Sequence, residues 1–345
     1  MPAKVACLSL ICLAALPGCE FPISAKDYRV EADPRAALID TFATHDSDCA
    51  RAVDQGCPGA LSACLDESGC PEFSACVREL ATPAARAECE GRLGTSLDAQ
   101  WAYEDLLRCW SQLDSACSVG ADFRCVGRYN RPASERTTLT LSERVHYLYA
   151  EQEPPDFALA LCVQTSDCSE PIALASLDDA GHYTATVPWG PKLRGPGSEW
   201  QGYRLLTSPD IPPSRVESNL PVWGTRVGVT RVLKSDLIES IGDVFGVTRR
   251  EAIFVQVVDC QSAPAPGIVV TLTDPTDGTV EHDGGGPVTT RTGAAAISDP
   301  KLNGVIEIVA RRSAARGEVG TEIARHRVTL PEGHVSYLKM YPEAP

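Results

Sequence analysis

The sequence predicts an α+β multidomain protein: a disulfide-stapled helical N-terminal domain followed by two β-sandwich domains. Three observations carry this. Nine of the fifteen cysteines fall between Cys49 and Cys125, within short helical patterns. After Arg131-Pro132 the chain changes to short β-rich runs separated by turn residues, the signature of sandwiches. The 345 residues also leave room for two or three domains.

The N-terminus reads as an export signal over residues 1–18. Lys4 supplies the positive charge, and Val5 to Leu16 form an apolar run broken only by Ser9, too short for a span of about 20 residues. The run ends in Leu16-Pro17-Gly18-Cys19, which resembles the lipobox of bacterial lipoproteins, with Pro17 where Ala or Ser is usual. The resemblance implies cleavage before Cys19, acylation of Cys19 and anchoring to a membrane through N-terminal acyl chains, each buried methylene contributing about 0.8 kcal/mol. Glu20, in place of an inner-membrane Asp, implies an outer-membrane destination. Cleavage after Ile23-Ser24-Ala25 would instead free a soluble protein. Residues 19–33 read as a tether.

Removing residues 1–18 takes one lysine and no acid, so the formal charge moves from −15 to −16. That acidity argues against nucleic acid as a partner. With Cys7, Cys12 and Cys19 set aside, twelve cysteines remain, an even number that in an exported chain reads as disulfides: Cys49, Cys57, Cys64, Cys70, Cys76, Cys89, Cys109, Cys117, Cys125, Cys162, Cys168 and Cys260. On the order of ten thousand pairings are open. No CxxC occurs and only His45 lies beside a cysteine, so metal ligation is not expected.

The helical domain covers 34–130. Asp33 suits an N-cap and Pro34 a first helical position. Cys57 and Cys64, seven apart, share a helix face. The helix through Leu61 to Cys64 ends near Gly69, Pro71 opens the next, and Pro83 opens another that stops between Gly91 and Gly94. A longer helix runs from Leu97 to Leu113 with Trp101, Leu106, Leu107 and Trp110 as its apolar stripe. These helices are short and poor in large aliphatics, so covalent staples of about 2–4 kcal/mol each are needed.

The first sandwich covers 131–222. Its expected strands are Thr137–Leu141, Val145–Tyr149, Phe157–Val163, Ile172–Leu177, His182–Val187 and Gly202–Leu206, with a tight turn at Asp178-Asp179-Ala180-Gly181. The second covers 223–345. It begins with a strand over Val222–Leu233, includes a helix over 235–246 in which Leu237, Ile238, Ile241, Val244 and Phe245 recur at three and four, and continues with eight strands: 252–259, 267–273, 279–282, 288–291, 294–298, 305–310, 322–330 and 335–341.

Cys260-Gln-Ser-Ala-Pro-Ala-Pro-Gly-Ile-Val-Val-Thr-Leu, followed by Thr289-Thr-Arg-Thr-Gly-Ala-Ala-Ala-Ile, resembles the carboxypeptidase regulatory-like (transthyretin-like) β-sandwich, and Leu159 to Val187 resembles a degenerate copy. The segment Cys117-Ser-Val-Gly-Ala-Asp-Phe-Arg-Cys125-Val-Gly-Arg-Tyr looks like the cysteine-rich head of certain bacterial lipoproteins. These resemblances imply transthyretin/Ig-like sandwiches and no enzymatic activity. In carboxypeptidases the module is an accessory, and the HxxE zinc motif is absent, as are GxSxG, GxxxxGK[ST], GxGxxG and HExxH.

Some residues invite specific readings. Asp274, Asp277 and Asp283 surround a glycine-rich loop and are weak calcium candidates, since calcium takes about six to eight oxygens. Trp189, Trp200 and Trp223 flank loops and could stack on sugar rings. Cys162 and Cys168 could close a hairpin, which leaves nine head cysteines and Cys260; a bridge from the head to Cys260 makes the count even. The sequence therefore leads to a lipid-anchored, non-catalytic cell-envelope protein with no cofactor, presenting sandwiches for protein or matrix contacts. The alternative is a glycan-binding surface lipoprotein for polysaccharide capture.

Overall fold

The computed structural model describes residues 33–43, 46–113, 117, 121–126, 138–147, 152–163, 168–188, 202–219, 225–238, 251–290, 292–313 and 320–343, and the chain divides into two units between Asp33 and Pro34. Cys19 and the segments read as signal and tether lie outside the described residues.

The head consists of α1 (Pro34–Ala43), α2 (Ser47–Gly56), α3 (Pro58–Asp66), α4 (Cys70–Leu80), α5 (Ala85–Leu93) and α6 (Leu97–Gln112). Local signals set the ends. Asp46 accepts from the backbone N–H groups of Asp48 and Cys49 at 2.9 and 3.1 Å, and Ser96 from that of Ala99 at 3.0 Å. Gly94, at φ 64°, closes α5. Pro71 takes the second position of α4, not the first, because Cys70 already continues the turn. Phe42, Phe73, Tyr103 and Trp110 form the aromatic centre, with Phe73 edge-on to Tyr103 at 5.4 Å. Arg78 lies over Trp110 at 4.8 Å and donates to the carbonyls of Thr41 and Phe42 at the end of α1. Around this centre run Cys49–Cys117, Cys57–Cys109, Cys64–Cys70 and Cys76–Cys89, with Cα atoms 4.5, 5.9, 5.3 and 5.9 Å apart.

The β region contains β1 (Thr138–Tyr147), β2 (Ala158–Val163), β3 (Ala173–Leu174), β4 (Ser176–Leu177), β5 (Tyr183–Pro188), β6 (Gly202–Ser208), β7 (Ile211–Ser218), β8 (Arg226–Val232), β9 (Ala252–Val257), β10 (Ile268–Leu272), β11 (Thr279–His282), β12 (Ala294–Ser298), β13 (Val305–Arg312), β14 (Glu322–Thr329) and β15 (Val335–Met340). They form three sheets: β4-β5-β1-β8, β10-β13-β14, and a continuous eight-stranded sheet β11-β12-β9-β15-β7-β6-β2-β3. One half of the long sheet packs on the first sheet around Leu139, Leu161 and Leu206. The other half packs on the β10-β13-β14 sheet around Ile253, Ile297 and Ile306. The two sandwiches are thus fused through a shared layer. The α+β architecture of stapled helices followed by sandwiches holds, but the sandwiches are not serial modules.

Several expected elements differ. The two strands read over 137–149 are one strand, β1, because Ser142 and Glu143 between them are buried with partners and do not turn the chain. Ile172–Leu177 divides at Ala175 into β3 and β4, which join different sheets. The sequence reading assigns no element to 211–218, where Pro212 and Pro213 stand, yet β7 forms there and pairs in parallel with β15. β8 joins β1 in the first sandwich, so the 222/223 boundary does not separate the two cores. Residues 288–290 form no strand; Thr289 instead accepts from the Ile268 N–H at 3.0 Å and donates to the Ala265 carbonyl at 2.9 Å. Of the 235–246 helix, 235–238 are helical and the rest lies outside the described residues.

Two further disulfides tie the β region. Cys162–Cys168 closes the end of β2, and Cys125–Cys260, 135 residues apart in sequence, joins the end of the head to the second sandwich. Beside it the Asp122 and Cys260 backbones are coupled: Cys260 N–H donates to the Asp122 carbonyl at 2.8 Å, and Asp122 N–H to the Asp259 carboxylate at 3.0 Å. In the second sandwich His282 Nε2 accepts from the Val270 N–H at 2.9 Å, which requires a neutral ring nitrogen. Burial lowers its pKa against the opposing pull of Asp283.

Two outcomes follow from this architecture. A C125A/C260A double variant loses about 3–5 kcal/mol in urea denaturation, the magnitude for releasing a loop of more than a hundred residues; an unchanged midpoint would show that the bridge constrains nothing. His282 has a folded pKa below its unfolded value of about 6.5, so the unfolded chain binds more protons between the two. Stability is full above that window, falls as pH drops from 7 to 5, and levels off below the folded pKa. The fall is smaller in H282Q, and equal falls in both proteins would refute the assignment.

Candidate functional site

The first sheet is narrower than the layer it covers. It ends at β8, while the long sheet continues through β15, β9 and β12. In-register residues share a face, so the pairing places Val216, Tyr337, Phe254 and Ala296 in one rank across the long sheet, and Ser218, Lys339, Gln256 and Ala294 in the next. Among the described residues no strand extends the first sheet over this face beyond β8. The opposite face carries Val255 and Leu338 into the second core.

The result is a cleft of about 620 Å³, floored by those ranks and walled by β8 and by Arg86, Ala87 and Glu104 of the head. The volume lies within the range of ligand sites, about 300–1,000 Å³. Phe254 and Tyr337 stack at 5.4 Å with an interplanar angle of 18°. The Tyr337 hydroxyl accepts from the Leu233 N–H at 2.8 Å, and burial raises its pKa. Lys339 lies 5.5 Å from the centre of the Tyr341 ring.

Ion pairs frame the cleft. Arg86 meets Glu104 at 2.6 Å; burial alone would lower the Arg86 pKa, and the carboxylate overcomes it. Arg204 on β6 pairs with Glu143 on β1, bridging the two layers of the first sandwich, and both are buried. Thr230 donates to the same carboxylate at 3.3 Å. The lining holds four cations, Arg86, Arg204, Arg231 and Lys339, against two acids, Glu104 and Glu143: a surplus of two positive charges in a chain of net charge −15.

The head is fixed over this opening by specific bonds. Glu90 of α5 accepts from the Thr225 N–H at 2.8 Å and also from its hydroxyl. Trp101 donates to Ser142 at 3.1 Å, stacks on His182 at 4.1 Å and lies 4.7 Å beneath Arg144. Burial, reinforced by Arg144, lowers the His182 pKa and keeps the stacked ring neutral.

Asp274, Asp277 and Asp283, singled out from the sequence, are not in the cleft lining. Asp274 accepts from the N–H and hydroxyl of Thr276, Asp283 accepts from Thr290 and Thr292, and Asp277 faces Lys301 at 3.3 Å. Their oxygens are engaged locally, and among the described residues no three His, Cys, Asp or Glu side chains are grouped to hold a metal. Trp189, Trp200 and Trp223 lie outside the described residues. Sequence reasoning missed the cleft-lining Glu143 and Arg204; Arg204 is a charge inside an expected strand, a signal that a buried partner exists.

No protein-family model matches the chain, and no curated protein matches it in sequence. Among solved structures it is similar to the TIE protein of Bacillus anthracis (11% identity, 60% of this chain and 34% of that one, TM-score 0.20). It is also similar to GBS52, the minor pilin of Streptococcus agalactiae (12%, 60% and 96%, TM-score 0.18), and to the shaft pilin SpaA of Lactobacillus rhamnosus GG (9%, 60% and 98%, TM-score 0.19). The chain spans about a third of the length of the first. At these scores nothing about function transfers. Among the described residues no helix is long and apolar enough to cross a membrane.

The Arg204–Glu143 pair gives a test of the frame. E143Q removes the carboxylate from a buried guanidinium and costs about 3–5 kcal/mol in chemical denaturation, whereas E143L/R204M recovers most of that. A loss below 1 kcal/mol in E143Q would show that the pair is solvated.

Proposed function

We propose that this chain is a lipid-anchored, non-catalytic binding protein of the cell envelope that uses the cleft between head and sandwiches to hold another macromolecule. The observation that carries the binding role is the uncovered face of the shared sheet, rimmed by an edge strand and ion pairs. Its lining offers a stacked aromatic pair, a hydroxyl, an amide and a cationic surplus, the groups of a recognition surface. The anchor is supported by Leu16-Pro17-Gly18-Cys19, and the six disulfides suit an oxidising compartment outside the cytoplasm.

One experiment addresses both parts. With a photo-crosslinking side chain at the exposed Gln256 on the cleft floor, the chain forms a discrete adduct in the membrane fraction of its cells, and C19S shifts the protein to the soluble fraction. An absence of adducts from position 256 would remove the cleft from consideration. Unaltered partitioning of C19S would remove the anchor.

A further inference from the structure

Backbone parity along β8 shows which groups point into the cleft. The N–H and C=O of one residue in a strand point to the same side, and the next residue's point to the other. The Val227 carbonyl accepts from Arg86 at 3.4 Å, and the Leu233 N–H donates to the Tyr337 hydroxyl at 2.8 Å, so the odd-numbered residues of β8 face away from β1. Val229 has this parity. Among the described residues no hydrogen bond engages its N–H or C=O, although it lines the cleft. Both ends of this edge are therefore held by side chains, and among the described residues nothing pairs with its middle.

The open middle lies beside the uncovered ranks of the long sheet. A strand paired to β8 there would extend the first sheet by one, and its inward side chains would rest on Tyr337 and Phe254 as those of β1 and β8 rest on the first core. An unrelated compact ligand would use the volume but leave the Val229 backbone groups unmatched. The charge selects further. The excess of two cations on the lining, in a chain whose overall charge is strongly negative, favours an anionic segment.

We propose that the cleft receives an extended acidic peptide segment of another polypeptide, added as a strand to the free edge of β8 with Val229 as its central hydrogen-bonding residue. This rests on the cleft-binding reading above and specifies its ligand. Main-chain bonds then supply affinity, and the aromatic pair and Lys339 read alternate side chains.

The test uses the whole chain and a panel of labelled, end-capped heptapeptides alternating Val with Asp or Glu. Fluorescence anisotropy shows saturable binding. Alternation fixes which side chains face the floor, so N-methylating one alternate set of amides weakens binding at least tenfold while methylating the other set has little effect. V229P removes one outward N–H on an edge strand, where proline is tolerated, and weakens binding at least tenfold; K339E weakens acidic peptides and favours Lys-containing ones. If V229P does not fold, the methylation contrast on the unaltered protein decides alone. Equal binding of both methylated sets overturns strand addition and leaves a side-chain cleft. A panel that fails to bind, while an adduct still forms from position 256, overturns the peptide assignment and spares the cleft. Failure of both removes the two readings together.

Discussion

The arrangement depends on β15. This one strand pairs in parallel with β7 on one side and β9 on the other, so its backbone groups belong to both sandwiches at once. A six-residue strand cannot satisfy both ladders unless the two halves of the long sheet keep one register. The register is also pinned by buried chemistry at the seam. Glu217 on β7 accepts from Ser336 on β15 at 3.1 Å and meets His326 of β14 at 3.3 Å, while Arg215 donates to the Thr329 carbonyl at 2.9 Å. A slip by one residue would send each of these groups to the wrong face. Asn219 continues the seam beyond β7, donating to the Tyr341 carbonyl and accepting from the Tyr341 N–H, both at 2.7 Å. The cleft is a geometric consequence: two sheets of different width share one partner layer, and among the described residues no strand continues the first sheet over the surplus of that layer.

The head answers a different constraint. Its helices run from nine to sixteen residues and bury few large aliphatics, so most of their interior is aromatic rings and sulfur. Four disulfides within it reduce the entropy of the unfolded chain where apolar burial is modest. The fifth, Cys125–Cys260, closes a loop that contains β1 to β9. Asp259 beside it accepts from the N–H groups of Asp122, Gln261 and Ala263, yet burial still raises its pKa. A carboxylate in that position tolerates little rearrangement, which holds the head against the second sandwich as Trp101 holds it against the first.

Much of this was legible in the residues. Proline and glycine punctuation located α4 and α5, an apolar stripe located α6, and alternation located β9. The parity of the cysteine count pointed to a link between head and Cys260. What was not legible is non-local. Pro212 and Pro213 hid β7 because local propensity counts proline against a strand, while the pairing with β15 lies more than a hundred residues away. β8 follows the first sandwich in sequence and was grouped with the second, since nothing in Arg226–Val232 specifies β1 as its neighbour. The cleft belongs to this class: its floor comes from β7, β9, β12 and β15 and its wall from β8 and the head, so no segment carries its signature. The acidic residues and tryptophans that stood out were chosen by type, whereas the lining is built from ordinary residues placed by topology.

An unpaired strand edge invites uncontrolled association, and proteins cover such edges or place charges on them. Here the head does both. Glu90 fixes Thr225, just before β8, and Arg86 reaches the Val227 carbonyl while its own charge is balanced by Glu104. At the far end Tyr337 engages Leu233. Among the described residues these contacts leave the backbone around Val229 as the part of the edge that no side chain engages. The chain carries a net charge of −15, while the cleft lining holds four cations and two acids. On the proposed reading, the placement of Arg86, Lys339 and the edge they flank would both limit self-association and admit an oppositely charged strand.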